Sequence, residues 1–426
     1  MSGVSIRLLR TASWNLLDQV LSALSNIVLS IVVARTVTAA AFGAFASAFV
    51  VFGISIAVTK SVVGQPLQMR FSDATPDQRR EANAAALGCA LALGLAAGLL
   101  VAAAALVVSG SVGSALLALA IVLPGLLVQD SCRMAAFALG RPSLAALIDA
   151  VWAVVQFGLI AVLHMAGYET VFVLVLAWGG AATVSAMLGL VALNARPQLR
   201  YATGWLRRHR DLIRFLLPEY FLSLGAMQFG ILLVGVIASA SAVGSLRAAQ
   251  VLLGPLSVLG SALFQFAVPE VARRHDRSAR DRWRFALTIG GGYGLVNVGY
   301  VSLLLLMPPA FGTALFGDSW AGAATVLFAM GCSAVASSLA NGPAGVLYGM
   351  GQARATFRIN VIKGPVLVAA LLIGTLWTGA LGAAWAFALI EALVLPAWIL
   401  TLRQSLRAIG SGRPVGAPLG SVAGTP

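Results

Sequence analysis

Charge is scarce in this chain. Asp, Glu, Lys and Arg make up 10% of its 426 residues, against 60% hydrophobic ones. That is too little polar surface for a water-soluble domain of this length, so most of the exterior must face lipid. Cysteine is scarce too. Cys89, Cys132 and Cys332 stand apart, with no C-x-x-C pair and all in or beside apolar segments. This excludes a disulfide framework or a zinc site and leaves small packing residues. Only His164, His209 and His275 exist, two of them in Arg-rich loops, so no Ser/His/Asp set is available. Nucleotide-binding G-x-x-x-x-G-K-[ST] and metalloprotease H-E-x-x-H patterns are absent. The reading is of a protein that is no enzyme and needs no cofactor or metal. Acids are half as numerous as bases, which gives a net charge of +14. In a soluble protein that excess would point to nucleic acid. Here the cations sit in short loops between apolar runs, where they set topology and meet anionic membrane lipid, so nucleic acid is not expected.

What the chain has in quantity is apolar length. A span needs about 20 apolar residues, and twelve candidates occur, near 14–34, 42–63, 84–108, 112–130, 144–164, 170–193, 215–238, 246–269, 285–307, 320–340, 360–378 and 381–402. With both termini in the cytoplasm, all but two of the 28 Lys and Arg residues fall on the cytoplasmic side, the exceptions being Arg35 and Arg247. The bias sets the orientation. The first apolar run is too long for a signal peptide, so Met1 is expected to remain.

The chain also repeats. A shift of 201 places Ala41-Phe42-Gly43 on Ala242-Val243-Gly244 and Asp18 on Glu219, and a shift of 211 places Gly140 on Gly351, Asp130 on Asn341 and Asp149 on Asn360. An even number of helices per half keeps both halves in one orientation. The expected fold class is an all-α membrane protein of about 12 transmembrane helices in two six-helix lobes related by a parallel internal repeat. The lobes are residues 1–195 and 215–405, joined by an Arg-rich cytoplasmic linker, 196–214, and followed by a disordered cytoplasmic tail, 406–426.

Several segments resemble a known family. Ser13-Trp14-Asn15, a long apolar helix ending Ala34-Arg35, and Phe42-Gly43 resemble the start of bacterial polysaccharide transporters, the lipid-linked oligosaccharide (O-antigen, Wzx-like) flippases. These belong to the multidrug/oligosaccharidyl-lipid/polysaccharide exporter superfamily, with the multidrug and toxin extrusion (MATE) proteins and the lipid II flippase. Val243 to Gln250, Phe264 to Glu270, Gly349-Met350-Gly351-Gln352 and Gly382 to Ala386 are similar to the family's later segments, so the likeness covers nearly the whole chain. It implies a MATE-like fold of two lobes around a cleft that opens alternately to each side. It also implies a bacterial plasma-membrane location and an undecaprenyl-pyrophosphate oligosaccharide as substrate, for surface polysaccharide synthesis, with other glycan-pathway membrane proteins as partners. The lipid II flippase carries two further helices, for which this chain has no room.

Ionisable groups inside a membrane are costly, so each is a functional candidate. A pyrophosphate head calls for cations along its path, and Arg35, Lys60 and Arg247 are the candidates, weighed against headgroup anchoring and snorkelling. Arg133 beside Asp130 reads as a local ion pair. Coupling to H+ or Na+ would need acids within spans, and Asp18, Asp149, Glu219 and Glu391 are the candidates. For Asp18 and Glu219 the ordinary alternative is stabilisation of a helix dipole; for Asp149 and Glu391 it is a hydrogen bond between helices. Asp149 pairs with Asn360 across the repeat, a charge difference that a one-lobe coupling site requires. Trp178, Trp320, Trp377 and Trp398 read as interfacial belt residues. Export of small organic cations, which prefers an acidic cleft, and a glycan polymerase or ligase are the rival functions. The latter usually needs a long outer loop, and the longest here, about Pro308 to Ser319, carries no cation.

Overall fold

In lipid a backbone amide has no partner but another backbone group, so uninterrupted apolar runs close into helices. The computed structural model describes residues 3–71, 74–221, 225–273 and 278–410, with the side chains of 3–19, 76, 273, 353, 409 and 410 outside that description. Helix α1 (Gly3–Thr36) is followed by α2 (Ala39–Thr59), which runs through a π-helical turn, Lys60–Gly64, into α3 (Gln65–Phe71). Then come α4 (Pro76–Val107), α5 (Gly110–Ala138), α6 (Pro142–Met165) and α7 (Val171–Ala192). After a 3-10 turn at Leu199–Tyr201 the chain continues through α8 (Ala202–Arg208), α9 (Arg210–Tyr220), α10 (Ala226–Ile237), α11 (Ala240–Leu252) and α12 (Gly254–Arg273). The remainder is α13 (Ala279–Leu305), α14 (Pro309–Phe316), α15 (Ser319–Gly349), α16 (Ala353–Thr378) and α17 (Ala380–Gly410).

Ten of these helices are long and apolar enough to cross a membrane, and two shorter apolar stretches, Val20–Thr36 and Ala226–Ile237, bring the set to twelve. Helix starts follow the sequence. Thr38, Thr170, Ser239 and Ser278 each accept a hydrogen bond from a backbone N–H three residues on. Thr75 and Gln78 form a reciprocal capping box with Pro76 at the first helical position. The repeat is visible in the backbone. Ala39 and Ala240, 201 apart, open α2 and α11, while α5 and α15 end at the left-handed glycines Gly140 (φ 65) and Gly351 (φ 71), 211 apart. Within each lobe small residues let helices touch. A Cβ on Gly382 of α17 would lie 1.9 Å from the carbonyl oxygen of Gly374 on α16, the close packing expected of bilayer helices.

Four details depart from the sequence reading. Helices overrun the apolar runs by several residues at the cation-rich ends, because polar residues there continue the helix in water; α5 reaches Ala138 and α15 Gly349. The eighth span is bent between α11 and α12 at Leu253, where Pro255 removes a backbone donor. Trp178 is no belt residue: it is 1% exposed and packed among Phe45, Phe49 and Phe52, with its backbone oxygen accepting from Trp152 Nε1 at 3.0 Å. Trp398 is buried as well, whereas Trp377 is 82% exposed. Finally, α17 continues to Gly410, so the 405/406 division falls within a helix, and residues 411–426 lie outside the described residues.

The linker is built rather than loose. Trp205 on α8, 3% exposed, donates through Nε1 to Val62 O at 2.9 Å, at the π-helical turn where the regular helix ladder is interrupted. His209 Nδ1 meets Trp205 O at 2.9 Å, Phe71 stacks on Trp205, and Arg70 pairs with Asp211 and donates to Arg208 O at 3.1 Å.

Candidate functional site

The first lobe holds a buried ion network where α2, α5 and α6 meet. Asp130 and Arg133 are three residues apart on α5, one helical turn, and Arg133 reaches Asp130 Oδ1 at 3.2 Å and Asp149 Oδ1 at 2.9 Å. Lys60, on the π-helical turn, lies 3.6 Å from Asp130 Oδ1, and Gln129 Nε2 donates to Asp149 Oδ1 at 3.0 Å. The two carboxylate side chains are 1% and 3% exposed. Two cations and two anions cancel, which is what makes burial tolerable, since an unpaired ion in such a place costs several kcal/mol, about 3–5 when a partner is deleted.

The second lobe does not reproduce this. By the repeat, Ser261, Asn341, Ala344 and Asn360 stand where Lys60, Asp130, Arg133 and Asp149 stand in the first lobe. Two of these, Ser261 and Asn341, line a cavity of about 450 Å³ between α12, α13 and α15 whose lining residues are neutral. Among the described residues an ion pair also lies within the spans of the second lobe, Lys363 Nζ to Glu391 Oε1 at 2.6 Å, joining α16 to α17.

The lobes meet through α2 and α11 at the cation-poor end. Gly43 and Gly244, repeat mates 201 apart, sit back to back: a Cβ on Gly43 would fall 1.7 Å from Ala240 O, and one on Gly244 would fall 3.1 Å from Gly43 Cα. Beside this crossing Arg247, half-buried on α11, donates to Ser30 Oγ on α1 at 3.2 Å and lies with Cζ 4.0 Å from the centroid of the Phe49 ring on α2. Arg35 at the end of α1 donates to Ala314 O on α14.

Of the residues singled out from sequence, the structure therefore brings Lys60 and Asp149 into one network and places Arg35 and Arg247 at interlobe contacts. Glu391 is paired with Lys363, Glu219 lies on an exposed face of α9, and the Asp18 side chain lies outside the described residues. Lys60, its side chain 39% exposed, has the Asp130 carboxylate within reach. Sequence reasoning left out Gln129 and counted Lys363 only as a topogenic cation, because nothing in a single chain tells which faces of α16 and α17 meet. The three-residue spacing of Asp130 and Arg133 was the usable signal. Among the described residues no three of His, Cys, Asp and Glu could hold a metal ion.

The arrangement is an all-helical membrane fold of two six-helix lobes. It is similar to a solved structure described as the inward-facing conformation of a multidrug resistance MATE family transporter of the MOP superfamily, at TM-score 0.66 and 14% identity over 94% of this chain and 96% of that one. An outward-facing structure of such a transporter matches at TM-score 0.62 and 13% identity over 95% and 96%. A third is a MOP superfamily transporter from Pyrococcus furiosus, whose binding pocket is described as having reversed polarity, suggesting a different function; it matches at TM-score 0.57 and 13% identity over 95% and 96%. No protein-family model matches the sequence, and no curated protein does. The likeness establishes the fold, which is MATE-like.

Proposed function

We propose that the chain is a bacterial plasma-membrane flippase that moves a polyprenyl-pyrophosphate-linked oligosaccharide to the outer leaflet by alternating access of its two lobes. The supporting observation is the balance of charge inside the spans. Asp130, Asp149 and Glu391 each lie against Lys or Arg, while the contacts of Arg247 are a hydroxyl and an aromatic ring. Arg247 is thus a guanidinium held at the interlobe crossing by neutral partners, which suits a pyrophosphate and not an organic cation.

In this reading the polar head crosses between the lobes while the lipid tail stays in the bilayer. Arg247 and Arg35 hold the outer side shut through Ser30, Phe49 and the Ala314 carbonyl, and exchange those neutral partners for phosphate oxygens as the lobes part. Lys60 is the inner cation of the path. Asp149 is the preferred coupling acid: a proton on it would weaken its hold on Arg133 and loosen α6 from α5. Asp18, Glu219 and Glu391 are the further candidates, H+ or Na+ the coupling ion, and anionic lipid and glycan-pathway membrane proteins the partners.

A second reading, extrusion of small organic cations, is favoured by the fold neighbours, which include multidrug transporters. One experiment separates the two. The gene is deleted, and the leaflet holding polyprenyl-linked saccharide is measured with an outside-only glycan label on intact cells. Inner-leaflet accumulation, rescued by wild type and not by Arg247→Ala, is the expected result. Unchanged leaflet distribution with a drug-specific change in susceptibility supports the second reading.

A further inference from the structure

The cavity in the second lobe has a composition that selects its occupant. Ser257, Ser261 and Gln265 line it from α12 at one-turn intervals, Tyr293 and Asn297 from α13, and Asn341 from α15. Its lining holds no carboxylate, ammonium or guanidinium group. Asn297, 1% exposed, uses its amide N–H to donate to Tyr293 O at 2.9 Å, and Asn341 donates to Gly260 O at 3.3 Å. Each uses one of its two amide N–H groups in this way, and Oδ1 of each is buried without a hydrogen-bond partner. Buried acceptors without donors are uncommon and call for an explanation. Here two of them belong to residues that line one cavity.

From this we infer that the cavity is a binding site for a neutral, hydroxyl-rich group, a sugar unit of the transported molecule; the inference rests on the proposed flippase reading. Sugar hydroxyls would exchange hydrogen bonds with the hydroxyls of Ser257, Ser261 and Ser337 and with the amide of Gln265, the exposed polar groups of the wall. A small cation would meet oxygens there, but no carboxylate lines the cavity to balance its charge. An anion would find no ammonium or guanidinium group in the lining. The volume, about 450 Å³, lies within the range of small-molecule sites, and Phe264 gives the apolar wall such sites have. Ser261 and Asn341, the repeat mates of Lys60 and Asp130, are among the neutral residues of this wall.

The test uses the full chain in lipid nanodiscs, with Ser337→Cys in the cavity wall and Cys332→Ala to remove the one native cysteine that is not buried. Thiol labelling is timed with octyl glucoside, octyl phosphate or octyl phosphocholine, all below the level that disturbs the nanodiscs, and with NaCl exchanged for choline chloride. The glucoside should slow labelling about threefold at a dose that fills two thirds of the sites, with the other two probes and sodium without effect. Asn341→Leu should abolish the protection, and Ser257→Phe, at the exposed rim, should do the same should Asn341→Leu fail to fold. Equal protection by the phosphate probe, protection by sodium alone, or no protection by the glucoside would each overturn the assignment. If the glucoside does not protect but the deletion strain accumulates inner-leaflet saccharide, the cavity assignment fails and flipping stands. If the glucoside protects and leaflet distribution is unchanged, flipping fails and the sugar site stands.

Discussion

The two lobes share a backbone plan and differ in what they bury. Where α2, α5 and α6 converge, the first lobe packs Lys60, Asp130, Arg133 and Asp149 into a net-neutral cluster. In the second lobe the mates of Lys60 and Asp130 are Ser261 and Asn341, on the wall of an uncharged cavity between α12, α13 and α15. Duplication therefore fixed the helices, their caps and their crossing points, and left side-chain charge free to diverge. On the proposed function that divergence has a use, because one half would hold a charge-sensitive brace and the other the cargo. The interface obeys the symmetry again, with the mates Gly43 and Gly244 in contact. Arg247 breaks it, since its mate is Ala46.

The largest expected effect comes from making the first lobe resemble the second. Asp130→Asn leaves Lys60 and Arg133 with Asp149 alone and should cost about 3 kcal/mol, seen as a lower midpoint in thermal unfolding in detergent micelles. The reverse change should be smaller but of the same sign. Asn341→Asp puts an acid in the neutral cavity without a cation, an expected loss of about 2 kcal/mol, and Ser261→Lys in the same chain should recover part of it by recreating the Lys60–Asp130 pairing. If the second variant gains nothing from the lysine, the two sites are not equivalent.

Next comes the contact between the lobes. Gly43→Val drives a side chain into Ala240 O and should disfavour the closed outer side by about 1–3 kcal/mol, read as faster thiol labelling of Ser241→Cys from outside. Gly180→Val, at a glycine with nothing within 4 Å of the added Cβ, should leave that rate unchanged.

The smallest effect is at the linker. Burial of His209 pushes its imidazole pKa below the usual value, and Arg70 and Arg208 add to this against the opposing pull of the Trp205 carbonyl and Asp211. An undocked linker binds the proton more readily than a docked one. Docking is therefore at full strength above the ordinary histidine pKa of about 6.5 and weakens as pH falls below it. Proteolysis within 196–214 should accelerate at acid pH in wild type, and His209→Phe should flatten that dependence.

Much of the architecture was legible because a bilayer leaves few choices. Twelve apolar lengths, the cations between them and repeat pairs such as the glycines at 140 and 351 led to twelve helices in two sixes. Less of the site could be read. Asp130 and Arg133 announce themselves by spacing, but Lys60 lies 70 residues before Asp130 and Asp149 lies on the next helix, across contacts that only packing creates. Trp178 illustrates the same limit: a tryptophan in a span has no visible depth until Phe45, Phe49 and Phe52 are seen around it.

The sequence by itself determined that the chain lives in a membrane, how often it crosses and how its halves repeat, since these depend on apolar length, charge distribution and period, all local quantities. Only the tertiary structure decided which charges cancel, that Arg35 and Arg247 bridge the lobes, and that the second lobe keeps an open neutral space. Those outcomes depend on which helix faces meet, and in lipid that is set by the fit of small residues and the pairing of buried polar groups across elements far apart in the chain.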